Sequence, residues 1–251
     1  DNTYTLERFP LDQKNRSLQA WDSGDEYLID YVQEHYPNAN SILILNDSFG
    51  ALACAFNILT VYSVNDSYIA HQATRYNLQA NELSTNSLTQ LDSLAALPNQ
   101  VDLVILKVPR NLGYLQHQLA AISTALPADI DVIAGGKTKD IHNSTIKAFS
   151  QYIGETSTSL AVKKSRLIIS KTSNLDKKAP FPVYWPLEGS EFEIQNHANV
   201  FSRDSLDIGA RFFFNYLPQT SKARSIIDLG CGNGVVGLMT LKRCPKAHVT
   251  F

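Results

Sequence analysis

Ser225-Ile-Ile-Asp-Leu-Gly-Cys-Gly-Asn-Gly234 runs from a short apolar strand into a turn with three alternating glycines, Gly230, Gly232 and Gly234. A helix is predicted directly behind it, from Val235 to about Arg243. Glycine is used where the backbone takes positive φ or where a ligand must come close to the main chain. The helix start adds free N–H groups and a positive dipole end, which suit an anionic group. Taken alone, Gly232-Asn-Gly234-Val-Val-Gly237 also fits the G-x-G-x-x-G pattern of dinucleotide sites. Asp228 separates the two readings. A carboxylate two residues before the first glycine repels a pyrophosphate. S-adenosylmethionine (SAM) instead brings an ammonium for the acid and a carboxylate for the loop amides. The expected cofactor is therefore SAM, held by Asp228, Gly230, Cys231, Gly232, Asn233 and Gly234. Cys231 reads as a small loop residue rather than a nucleophile, since no base stands beside it in sequence.

Upstream, the chain alternates strand and helix. Ser41-Ile-Leu-Ile-Leu45 is a continuous apolar run, as in a strand buried on both faces of a parallel sheet. A helix follows from Ala51 to Leu59, a strand at 61–64 and a helix from Ser67 to about Asn81. Further strands are expected at 101–106 and 130–133, and helices at 111–126 and 139–152. Two alternating segments near 159–163 and 166–170 look like a terminal antiparallel pair. Residues 172–190 then hold Pro180, Pro182 and Pro186 with no helical period, which reads as a linker. Beyond it come a strand at 192–195, a helix at 205–217, the opening stretch and a second strand at 248–251. The expected organisation is a domain over 1–175, a linker over 176–190 and the start of a second α/β domain over 191–251.

The opening stretch has an echo. Residues 41–52, SILILNDSFGAL, align with 225–236, SIIDLGCGNGVV: Ser41 with Ser225, Leu45 with Leu229 and Gly50 with Gly234. Against Asp228 stands Ile44, and against Gly230 and Gly232 stand Asn46 and Ser48. This predicts a duplicated fold whose first copy no longer binds SAM. In amino-methylating enzymes of this class the fourth strand ends in Asn-Pro-Pro-Phe or Tyr. The comparable Lys107-Val-Pro-Arg110 keeps only the proline, and a lysine cannot accept from a target amine.

Composition bounds the partners. A 251-residue chain with 44% hydrophobic and 18% charged residues is ordinary for a globular protein. No apolar run reaches the ~20 residues that cross a bilayer, and the first residues lack a signal peptide's basic and apolar regions. Three cysteines without a CxxC pair suit a reducing cytoplasm, and six scattered histidines give a metal site little support. A net charge of −2 argues against a wholly nucleic-acid-gripping surface but leaves room for a local basic face. Lys163, Lys164, Arg166, Lys171, Lys177 and Lys178 meet only Asp176. Of these, Lys163, Lys164, Arg166, Lys177 and Lys178 are the candidate RNA contacts; the alternative is a solvated strand face and linker. Phe181, Tyr184 and Trp185 either stack on unpaired bases or pack the linker.

With these pieces together, the sequence resembles the two-domain bacterial rRNA guanine-N2 methyltransferases, most closely their large-subunit (23S) branch. Leu18-Gln-Ala-Trp-Asp22 with Asp25-Glu-Tyr-Leu28 carries the more specific part of the likeness. Gly154-Glu-Thr156, the Lys163-Lys164 strand, Val200-Phe-Ser202, Leu206-Asp-Ile-Gly209 and the glycine loop carry the rest. The resemblance implies tandem Rossmann-like methyltransferase domains, the first degenerate and concerned with RNA recognition, the second truncated. It adds Phe201 and Asp207 to the cofactor-binding residues. It implies methyl transfer to N2 of one guanine in 23S rRNA by a cytoplasmic protein without metal or membrane, expected to be a monomer. The ribose-binding acid and the catalytic Asn-Pro-Pro-Phe of such enzymes are expected beyond Phe251, on the order of a hundred residues of further domain. The alternatives are a small-subunit rRNA or protein-glutamine methyltransferase, and a non-enzymatic RNA-binding module.

Overall fold

A computed structural model describes residues 3–11, 18–219, 222 and 224–251. It divides into two compact units, Asp1–Lys178 and Ala179–Phe251.

Unit 1 is an α/β sandwich on a seven-stranded sheet. Its strands are β1 (Ser41–Leu45), β2 (Thr60–Val64), β3 (Leu88–Leu91), β4 (Leu103–Lys107), β5 (Asp131–Lys137), β6 (Thr156–Thr158) and β7 (Ser165–Lys171), in spatial order β3-β2-β1-β4-β5-β7-β6. The first five are parallel; β7 runs antiparallel to β5 and β6. The helices are α1 (Ser23–His35), α2 (Ala51–Ala55), α3 (Tyr68–Ala80), α4 (Leu112–Ala125) and α5 (Asn143–Tyr152). Strand order reverses between β1 and β4, and ligands of open α/β sheets sit outside the carboxyl ends of the strands at such a point.

The apolar run of β1 is buried as its composition demands, since sheet neighbours flank it on both edges and helices cover both faces. Leu28, Val32, Ile42, Ile44, Leu52, Leu103, Ile105, Ile133 and Leu167 form one core cluster. Trp21 and its neighbours enter α1, whose N-cap Asp22 accepts from Gly24 N and Asp25 N while Asp25 reaches back to Asp22 N.

The N-terminal residues dock along α3. Asn77 and Asn81, one helical turn apart, each offer their side-chain amide as a strand edge would. Asn77 exchanges hydrogen bonds with Glu7 N and O at 2.8 and 2.9 Å, and Asn81 with Thr5 N and O, both at 2.8 Å. Alternate residues of an extended segment and an i, i+4 helix pair have nearly the same spacing, so the fit needs no distortion.

Unit 2 holds an antiparallel pair, β8 (Val183–Pro186) with β9 (Glu193–Asn196), then α6 (Ile208–Phe214), β10 (Ser225–Ile227), α7 (Val235–Arg243) and β11 (His248–Thr250), parallel to β10. Leu187, Ile194, Leu206, Phe214, Leu217, Val235 and Met239 make its core.

Several boundaries differ from the expected ones. β8 forms inside the proline-rich stretch, because Trp185 turns inward and its Nε1 donates to Arg203 O. β3 pairs at the sheet edge, where the sequence pattern predicts no strand. α2 ends at Ala55, and the terminal pair is 156–158 with 165–171. α6 spans only 208–214 of the expected 205–217.

Candidate functional site

Both copies of the repeated element fold alike where it matters for the turn. Gly234 caps α7 at φ 78° and Gly50 caps α2 at φ 89°. Gly230 has φ 70°, and its counterpart Asn46 has φ 67°. Asparagine is among the few side chains that tolerate the left-handed region, so the turn forms in unit 1 without a glycine at this place.

In unit 2 the loop leaves room. A Cβ on Gly230 or Gly232 would meet nothing within 4 Å. Both residues are exposed, while Gly234 is buried under the turn. Asp228 is half-buried, and its Oδ2 accepts from Gly237 N in the first turn of α7 at 2.8 Å. A Cβ on Gly237 would press on the Phe251 ring and lie 3.0 Å from Asp228 Oδ2. Asn233 Nδ2 donates to Oδ1 of the fully buried Asn196 at 3.1 Å, and Asn196 Nδ2 in turn donates to Ile194 O and Val183 O. Asn196 is a loop-positioning residue that sequence reasoning missed, because its partner lies 37 positions away. Cys231 is half-buried, with its Sγ near Gly232 O. Asp207 caps α6, its Oδ2 accepting from Ala210 N at 2.9 Å, and Phe201 stands 74% exposed.

In unit 1 the same ground is filled by side chains. At the end of β1, Asn46 forms a two-way amide pair with Gln118 of α4 (2.8 and 2.9 Å) and donates to Lys107 O at the end of β4. These are the two strands that flank the reversal of strand order. Asp47, 2% exposed, accepts from Gly50 N at 2.9 Å and Ala53 N at 3.0 Å. Asn65 Nδ2 closes on Asp47 O, and Asn77 Nδ2 on Phe49 O. Lys107 Nζ lies 2.6 Å and 2.7 Å from the two oxygens of buried Asp25 and 3.6 Å from Asp22.

Burial pushes the Asp25 carboxyl up to about 6 despite the facing Lys107 ammonium, with Asp47 adding to the rise. Burial alone would depress Lys107, but Asp25 and Asp22 hold it above the usual lysine value. At neutral pH the pair is therefore ionised. Burial also raises Asp47.

The expected basic residues do not form one face. Lys163 and Lys164 form the turn into β7, with Arg166 just inside the strand. Lys171 closes that strand and lies 3.6 Å from Asp131, while Lys177 sits over the Tyr152 ring at 5.0 Å and Lys178 is exposed. A seven-residue strand is about 23 Å long, so the run divides between opposite ends of β7. Lys137 and Lys139, near Lys163 and Lys164, escape a sequence reading because they come from a different strand end. Phe181 and Trp185 are spent internally, the first under the Arg203 guanidinium and the second in the unit 2 core, whereas Tyr184 is 54% exposed. Among the described residues no helix is long and apolar enough to cross a membrane, and no group of three or more His, Cys, Asp or Glu is placed to hold a metal.

Comparison with known proteins bears on both units. Residues 1–174 match the RLMG N-terminal domain family and residues 191–251 the methyltransferase small domain family. Ribosomal RNA large subunit methyltransferase G of Pseudoalteromonas translucida is 71% identical across the whole chain, which spans 66% of that relative. The proteins of the same name from Colwellia psychrerythraea and Yersinia enterocolitica are each 45% identical, over 100% and 99% of this chain and 68% and 63% of theirs. The chain thus spans about two thirds of the length of these relatives. Among solved structures, a T. thermophilus 16S rRNA N2 G1207 methyltransferase in complex with AdoMet and guanosine aligns over 91% of this chain and 61% of its own, with TM-score 0.67 and 20% identity, a likeness of fold. The chain belongs to the ribosomal RNA large subunit methyltransferase G family.

Proposed function

We propose that the whole protein methylates the exocyclic N2 of one guanine in 23S rRNA, with SAM held by Asp228–Gly234 of unit 2 and RNA met by unit 1. The observation that carries this reading is the contrast between the two copies. Gly230 and Gly232 face open space, whereas Asn46, Asp47 and Lys107 are locked into contacts of their own. The choice of guanine N2 follows the family resemblance and is supported by the T. thermophilus enzyme of like fold, a 16S rRNA N2 methyltransferase bound to guanosine.

The residues present fit the cofactor. Amides of the loop and the first turn of α7 would receive its carboxylate. Asp228 is braced by accepting through Oδ2 from Gly237 N, and its second oxygen would be free to accept from the ammonium. Asn196 fixes Asn233. Asp207 and Phe201 complete the binding set by family likeness. When bound, SAM supplies an electrophilic methyl group. The N2 amine is a weak nucleophile, so the contribution of the protein is to take the base out of its stack and hold the amine in line.

Residues 1–251 contain no Asn-Pro-Pro-Phe or Asn-Pro-Pro-Tyr. By themselves they are expected to bind rRNA. A monomer acting in the cytoplasm completes the reading. The test is methyl transfer from labelled SAM to naked 23S and 16S rRNA by the whole protein, with the modified base identified by mass spectrometry. N2-methylguanine in 23S rRNA alone is expected; modification of 16S rRNA, or of another atom, contradicts the proposal.

A further inference from the structure

The two lysines that turn the chain into β7 occupy backbone positions that lysine avoids. Val162 and Ser165 exchange both backbone hydrogen bonds at 2.8 Å, so Lys163-Lys164 is a two-residue hairpin turn. Their φ angles are 46° and 62°. Such turns need positive φ at both central residues and favour Asn-Gly; bulky L-residues at both are strained. The surroundings hold the turn in place. Thr138 donates to Lys164 O from N at 2.9 Å and from Oγ1 at 3.3 Å, and Lys163 Nζ pairs with Glu26 at 2.8 Å.

Thr138 stands between Lys137 and Lys139, and Lys137 faces Ser165 in the β5–β7 register. Four exposed lysines from two strand ends thus gather at one edge of unit 1 in a chain of net charge −2. The acids nearby are Glu26 and Asp30, which act on Lys163, Asp22, which feels Lys137, and Asp140. Among the described residues none of them forms an ion pair with Lys137, Lys139 or Lys164. Lys163 is paired with Glu26, but Lys137, Lys139 and Lys164 stand in or beside this strained turn with no ion pair among the described residues, an arrangement that points to a binding surface.

We propose that Lys137, Lys139, Lys163 and Lys164 form a phosphate-gripping edge through which unit 1 holds rRNA. This rests on the reading that unit 1 binds RNA and assigns the surface. Family membership in the rRNA methyltransferases selects RNA over other polyanions, and lysines at a strand edge suit phosphates rather than base edges.

The test uses the 251-residue chain, a transcribed 23S rRNA fragment and a salt titration. Lys163→Asn/Lys164→Gly gives the turn its favoured residues, so it is expected to raise the Tm while weakening RNA binding. Adding Lys137→Ala/Lys139→Ala is expected to lower affinity roughly tenfold or more and to reduce the salt slope by about two to three. Lys171→Ala/Lys177→Ala/Lys178→Ala, toward the opposite end of β7, is expected to stay within about twofold. Unchanged affinity and slope in the first two variants overturn this surface while leaving RNA binding by unit 1 intact. An equal loss in the opposite-end variant overturns it as well. Absence of RNA binding by the unmodified chain overturns the underlying reading and this one with it. A lower Tm in the Asn-Gly variant overturns the inferred backbone strain.

Discussion

Asp47 and Asp228 hold the same backbone N–H in the two copies of one fold. Asp228 Oδ2 accepts from Gly237 N at 2.8 Å; Asp47 Oδ2 accepts from Ala53 N at 3.0 Å, and residues 237 and 53 are equivalent in the repeat. The two acids sit at different places, one at the strand end and one inside the loop. Moving the acid into the loop keeps the helix start satisfied and spends the space a ligand would need. In unit 1 the corresponding ground is closed by its own hydrogen bonds.

Removal of that acid tests the closure. Asp47→Ala leaves the buried N–H groups of Gly50 and Ala53 without their acceptor. A loss of about 2–4 kcal/mol in urea unfolding of unit 1 is expected. Asp228→Ala, in the more open loop, is expected to cost unit 2 less, about 1–2 kcal/mol. Equal losses from the two contradict the difference in burial between the loops.

The Lys107–Asp25 pair gives a second prediction. Lys107→Met strands a buried carboxylate and is expected to destabilise unit 1 by about 2–4 kcal/mol. Lys107→Met/Asp25→Leu removes both charges and is expected to recover most of that loss. A double-mutant cycle on chemical unfolding reads the difference; additive losses would show that the pair is not coupled.

The pH dependence follows from Asp25. Its carboxyl is raised by burial to about 6, above its ordinary 3.8. The folded state then binds the proton more tightly than the unfolded chain. The contribution of this group is fully present below pH 3.8 and is lost as pH rises through about 6. Relative to Asp25→Asn, the unmodified chain is expected to lose stability between pH 4 and pH 7. Depressed groups remote from the pair, such as Asp102, act in the opposite sense in both proteins and cancel in the comparison. A difference that is flat or rises with pH contradicts the assignment.

Glycines of the two turns separate folding from binding. A Cβ on Gly50 would come within 2.8 Å of the Thr74 backbone, so Gly50→Ala is expected to destabilise unit 1 by more than about 2 kcal/mol. Gly232→Ala meets open space and bears only the left-handed backbone penalty, about 1 kcal/mol. If the loop holds SAM as proposed, the added methyl group meets the cofactor, and SAM affinity in the whole protein is expected to fall at least tenfold, more than the lost stability accounts for. Retained affinity would place the ligand elsewhere.

Legibility in the sequence followed the range of the interactions. The buried run of β1, the left-handed caps Gly50 and Gly234 and the repeat itself depend on neighbouring residues, and all could be read directly. β3 escapes such a reading because Leu88-Thr-Gln-Leu91 is a half-buried edge strand with a weak pattern. β8 is hidden among prolines, although Pro186 ends a strand and does not interrupt one. The closure of unit 1 joins Asn46 to Gln118 across 72 positions and Asp25 to Lys107 across 82. No local pattern reports such contacts. Asn46 at the place of Gly230 was the available clue.

The proposed function places a single cofactor site in each chain, in unit 2. Calorimetric titration of SAM into the whole protein tests it most directly, alongside Asp228→Ala and Lys107→Met. One SAM per chain is expected, with binding lost in Asp228→Ala and retained in Lys107→Met. Two sites per chain, or binding that depends on Lys107 and not on Asp228, would contradict it.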